Sequence, residues 1–98
     1  MSVVQVLRKA RSLVAKGWTR QQYFRLHAGR KCYCVSGAIA KACGVRFPDW
    51  GYQDATRVFQ SAVCKGVFIP KWNDTQTDKR KVLKAFDKAI AFAQKGAV

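Results

Sequence analysis

Ile69-Pro70-Lys71-Trp72-Asn73-Asp74 is the stretch whose reading decides the fold, because it stands between two runs of helical periodicity and keeps the first from continuing into the second. Pro70 fixes its own φ and biases Ile69 toward an extended backbone, so the preceding helix must already have ended. Trp72 is expected to fold inward. Asn73 and Asp74 carry short side chains that bond nearby backbone N–H groups, which suits them to a turn or cap before apolar periodicity resumes at Val82. Trp72, Asn73 and Asp74 therefore read as a structural anchor at a rigid corner, in preference to a ligand site.

Downstream of that corner the pattern predicts a helix from about Asp78 to Gln94. Val82, Phe86, Ala89 and Ala93, with Leu83 and Ile90, share one face. Lys81, Lys84, Lys88 and Lys95 fall opposite it and form a basic stripe broken only by Asp87. Upstream, Ala55, Val58, Phe59, Ala62 and Val63 mark a helix from about Tyr52 to Lys65, with Asp49 as a cap and Gly66 as a stop. Val35 to Cys43 is apolar or small almost all round, as a buried central helix would be, and Gly44 ends it. Its small residues would let another helix approach closely.

The N-terminal helix is predicted over Val3 to Lys16. Ser2 and Gln5 have capping-box spacing, Val3, Leu7, Ala10 and Val14 recur at helical intervals, and Gly17 offers a left-handed stop before Trp18. Between Trp18 and Lys31 the helical period disappears. Tyr23, Phe24 and Leu26 lie there among Arg20, Arg25, His27 and Arg30. The segment fits a short helical turn leading into a loop, or a brief extended piece turned by Ala28-Gly29. The fold class expected is thus all-α: a compact four-helix single domain spanning 1–98, with one irregular loop segment after the first helix.

The charge exceeds what solubility needs. Nineteen Lys and Arg stand against five Asp and no Glu, a formal net charge of +14. Every acid lies at or beyond Asp49, which leaves the first half uniformly positive. The apolar and aromatic content argues for a folded globule over a disordered basic tail. No apolar run is long enough to cross a bilayer and no secretory pattern opens the chain, so a soluble, cytoplasmic protein with reduced cysteines is expected.

Gly17-Trp18, the segment from Cys32 to Ala38, Ile69 to Asp74, and Val82 to Asp87 together resemble a family of small uncharacterised proteins, commonly phage-encoded or actinobacterial, grouped as a domain of unknown function. The resemblance spans most of the chain and implies a phage or prophage accessory protein with no assigned chemistry. Heavy basic charge and extra cysteines depart from that pattern.

The residues themselves offer little to an enzyme. His27, Cys32, Cys34, Cys43 and Cys64 are soft metal ligands, but Cys32-x-Cys34 is tighter than a zinc knuckle, and Cys43 and Cys64 fall on core-facing helical positions. A Cys–His pair of His27 with Cys32 or Cys34 has no supporting motif, and no Gly-rich phosphate loop follows a strand. No catalytic residue, metal or cofactor is assigned. The expected activity is binding to an anionic partner, with Lys81, Lys84, Lys88, Lys95, Arg20, Arg25, Arg30 and Lys31 as the contact residues. Nucleic acid held by its phosphates leads. The alternative is docking on an acidic protein, with Trp50 or Tyr52 as an aromatic anchor. A structural role in a virion or assembly is a third class.

Overall fold

Ser2 opens the first helix as its sequence predicts. Its Oγ accepts a hydrogen bond from the Gln5 N–H at 3.1 Å, and Gln5 Oε1 accepts one from the Ser2 N–H at 2.9 Å. The computed structural model describes residues 2–44 and 54–96. In chain order these form α1 (Val3–Lys16), β1 (Phe24–His27), β2 (Arg30–Tyr33), α2 (Val35–Cys43), α3 (Asp54–Phe59) running on into a π-helical turn (Gln60–Cys64), α4 (Ile69–Thr75) and α5 (Lys79–Gln94). The expected helix start at Tyr52, its cap Asp49, and the candidate anchors Trp50 and Tyr52 lie outside the described residues.

Three of the expected helices keep their bounds. α1 and α5 present Val6, Leu7, Ala10 and Val14, and Val82, Phe86, Ala89 and Ile90, to a core completed by Val35, Ala38 and Ile39 of α2 and Phe59 of α3. Phe59 is the aromatic centre, with the Phe86 ring at 5.0 Å and the Trp72 ring edge-on at 5.5 Å. Arg11 of α1 pairs with Asp87 of α5 at 2.8 Å, and Lys79 Nζ donates to the Ala15 carbonyl at 2.9 Å. Those two contacts run the helices antiparallel.

The four-helix, all-α expectation is corrected in two places. Ile69-Pro70-Lys71-Trp72-Asn73-Asp74 is itself helical, not a corner. Pro70 sits in the first turn, where its missing N–H has no intrahelical partner to lose and its fixed φ suits the helix. Residues 24–33 form an antiparallel hairpin, pairing Phe24 with Tyr33, Arg25 with Cys32, Leu26 with Lys31 and His27 with Arg30. The extended alternative turned by Ala28-Gly29 is therefore the one adopted. Ala28 and Gly29 both have positive φ, 52° and 76°, the mirror-image turn whose twist suits two-residue hairpins.

Smaller corrections have local causes. Gly17 is extended, not left-handed, and its need for glycine comes from space: a Cβ there would lie 2.8 Å from Cys32 Sγ. This closeness lets Gly17 and Thr19 exchange backbone hydrogen bonds with Tyr33, as a partial third strand beside β2. Gly37 of α2 admits a backbone too, but that of Tyr23 instead of a helix, since an added Cβ would overlap the Tyr23 carbonyl. Lys65 takes the left-handed position just before Gly66. Nothing in the sequence of Gln60–Cys64 explains its wider π turn.

Candidate cationic cleft

Alternation along a hairpin sorts its residues onto two faces. The register puts Arg25, His27, Arg30 and Cys32 on one face and Phe24, Leu26, Lys31 and Tyr33 on the other. The first face closes over the end of α1. Together with Lys16, Gly17, Trp18 and Lys79 it lines a cavity of about 470 Å³. A second cavity, of about 320 Å³, adjoins it through the shared walls Trp18 and Arg25 and adds Thr19, Arg20 and Gln21. Among the described residues neither lining includes a carboxylate.

The acids are engaged elsewhere. Asp87 pairs with Arg11, Asp54 with Arg57 and Asp78 with Arg80. Asp74 Oδ1 accepts the Gln21 N–H at 2.7 Å and so holds Gln21 at its positive φ of 66°. The Arg80 side chain, followed by its backbone N–H, keeps the Asp78 carboxyl below its ordinary range, and the same contact raises Arg80. Each aspartate among the described residues thus has a partner, and none of those partners is a cation of the cleft.

Two of the cleft cations also serve the fold. Lys79 Nζ donates to the Ala15 carbonyl at 2.9 Å and Arg30 to the Lys16 carbonyl at 3.4 Å, so both sit on the electronegative end of α1. Their charge offsets that end of the helix dipole. Arg20 donates to the Gln76 carbonyl at 3.2 Å. The side chains of Arg25 and Lys16 make no hydrogen bond or ion pair with other described residues, although their backbones do.

Asn73 fixes the wall of the cleft. It is wholly buried, and its Oδ1 accepts from Trp18 Nε1 at 2.9 Å and from the Val35 N–H at 3.1 Å. Its Nδ2 donates to the Thr19 carbonyl at 3.1 Å. One amide thereby joins α4, the start of α2 and residues 18–19. The expectation that Trp72 is the buried anchor and Asn73 a turn or cap residue is corrected: Trp72 is only half-buried, and Asp78 caps α5 by accepting from the Arg80 N–H at 2.9 Å.

The expected contact residues separate into three groups. Arg25 and Arg30 line the larger cavity and Arg20 the adjoining one. Lys31 lies on the other hairpin face, with Nζ 5.4 Å from the centre of the Phe24 ring. Lys81, Lys84, Lys88 and Lys95 are exposed along α5, and at about 100° per residue they lie about 140° to 200° round the helix from Lys79. The stripe does not enter the cleft. Lys16, Trp18 and Lys79 were absent from the contact set; the period-two pattern of residues 24–33 could have grouped the hairpin cations, but Lys79 needs the α1–α5 packing.

The cysteines are free thiols. Cys34 caps α2 by accepting the Gly37 N–H at 3.3 Å, and burial pushes its thiol up despite that bond. Burial also raises Cys43, and takes Cys64 up to about 12. These three are poor thiolates. Among the described residues no group of three His, Cys, Asp or Glu comes together as metal ligands, and no helix is long and apolar enough to cross a membrane.

A family model described as a family of unknown function (DUF6197) matches residues 1–92. No curated protein and no solved structure matches.

Proposed function

The chain belongs to this family of unknown function, DUF6197, and from that premise we propose that it is a small, non-enzymatic accessory protein of the phage type that binds nucleic acid through its phosphates in the cytoplasm. The observation that carries this reading is the disposal of charge. A formal charge of +14 remains while every described aspartate is already partnered, and cations gather in a cleft whose described lining has no carboxylate. Neutralising phosphates releases condensed counterions, which drives binding with little dependence on sequence. Basic side chains that meet no acid among the described residues suit that role.

The second reading is docking on an acidic protein. It is favoured by the other hairpin face, where Phe24 and Leu26 are 46% and 65% exposed beside Lys31, an apolar anchor with a cation next to it. Titration of mixed-sequence DNA and RNA at two salt concentrations separates the readings. Phosphate binding is expected to weaken by a slope of about 0.9 in log affinity against log salt for each B-form contact. Failure to bind either polymer at micromolar protein and low salt would leave the protein-docking alternative.

A further inference from the structure

We propose that the cleft between the basic hairpin face and the end of α1 seats single-stranded nucleic acid, with a phosphate among Lys16, Arg25, Arg30 and Lys79 and a base against the Trp18 indole. This rests on the nucleic-acid reading and narrows it to one site and one strand form.

The shape of the site separates a single strand from a duplex. A duplex carries its phosphates on a stiff, convex cylinder, whereas a single strand can bend into a concavity and turn a base out of its stack. Here the unpaired cations lie inside a concavity. Its two compartments, about 470 and 320 Å³, are each within the range of small-ligand pockets and meet at Trp18 and Arg25. A phosphate in the larger compartment therefore has an aromatic wall beside it. Positive grooves flanked by aromatic platforms are the usual means of holding single strands, because every base presents a π face.

Trp18 is suited to be such a platform. Its Nε1–H is fixed to the buried Asn73, and its backbone pairs with Tyr33, so the indole is held in place before any ligand arrives. Pre-ordering of this kind lowers the entropy lost on binding. The end of α1 would repel phosphate if its carbonyls were bare, but Lys79 and Arg30 already cover Ala15 and Lys16. The Arg25 side chain, which bonds to no other described residue, is free to reach a ligand.

The test measures anisotropy of labelled single-stranded oligothymidine and oligouridine of about 12 nucleotides, an abasic strand of equal length, and a duplex, near 0.15 M salt. The expected result is binding of the single strands about tenfold tighter than the duplex, with the abasic strand weaker than oligothymidine. Lys16→Gln with Arg25→Gln should reduce single-strand affinity by about tenfold or more, while Lys81→Gln, Lys84→Gln and Lys88→Gln together change it less than about threefold. Circular dichroism confirms that both variants fold. Equal affinity for duplex and single strand overturns the proposal, as does retention of single-strand binding in the cleft variant. Abasic binding as tight as oligothymidine overturns the stacking on Trp18. In each of those cases binding survives and the broader reading stands; absence of binding to every strand at low salt overturns both.

Discussion

Asn73 concentrates more of the fold in one side chain than any other described residue. Its amide satisfies the Trp18 Nε1–H, the Val35 N–H and the Thr19 carbonyl in a place closed to water. Buried polar groups left without partners cost about 1–3 kcal/mol each. Asn73→Ala should therefore destabilise the protein by roughly 3–5 kcal/mol in urea titration, a large share of the stability of a small domain. A loss below about 1 kcal/mol would show that the three groups find other partners. Trp72→Ala should cost less, because the half-buried indole meets Phe59 only by its edge. Cys64 gives a second test at this scale. Burial takes its thiol from an ordinary 9.0 to about 12, so the unfolded chain ionises first. Stability from this group is full below pH 9.0 and falls as pH rises toward about 12. Cys64→Ala should make that alkaline decline shallower without abolishing it, since Cys34 and Cys43 are shifted the same way. An unchanged slope would sink the assignment.

The hairpin is the element whose construction can be tested most directly. Ala28 holds a φ of 52°, which costs a residue with a Cβ more than it costs asparagine or glycine. Ala28→Asn should raise stability by about 0.5 kcal/mol and leave the register intact, as cross-strand NMR contacts between Phe24 and Tyr33 would report. Gly37→Ala should do the opposite, driving the Tyr23 backbone off α2 and loosening the hairpin from its seat. These two residues also show why sequence reading stopped where it did. α1, α2 and α5 could be bounded in advance because caps and a 3.6-residue period act locally. The hairpin could not be chosen over a loop, since the alternation of Phe24 and Leu26 with Arg25 and His27 spans only four residues and neither of its faces is buried. Ile69–Thr75 was mistaken for a corner because Pro70 signals both a helix end and a helix first turn, and only the contacts of Asn73 distinguish them. Likewise, half of the cleft was legible as Arg20, Arg25 and Arg30, while Lys16 and Lys79 meet only through tertiary packing.

For the whole molecule, the charge that favours an anionic partner should also weaken the fold in its absence. Like charges repel within a compact globule, and a net +14 leaves few opposing groups. The ion pairs of Arg11, Arg57 and Arg80 act in the other direction, but such exposed pairs contribute little in water. Repulsion should therefore dominate. Raising salt from about 0.01 to 0.15 M shortens the Debye length from about 30 to 8 Å and screens it. The melting temperature should rise, by roughly 4–8 °C for each kcal/mol of repulsion relieved in a chain of this size. The same reasoning makes the α5 stripe a destabilising feature in the free protein. Lys84 and Lys88 are like charges one helical turn apart, so Lys84→Gln with Lys88→Gln should raise the melting temperature at low salt and narrow its salt dependence. A melting temperature that falls with added salt would mean that the three ion pairs outweigh the repulsion, and the stripe would then need no partner to account for its stability.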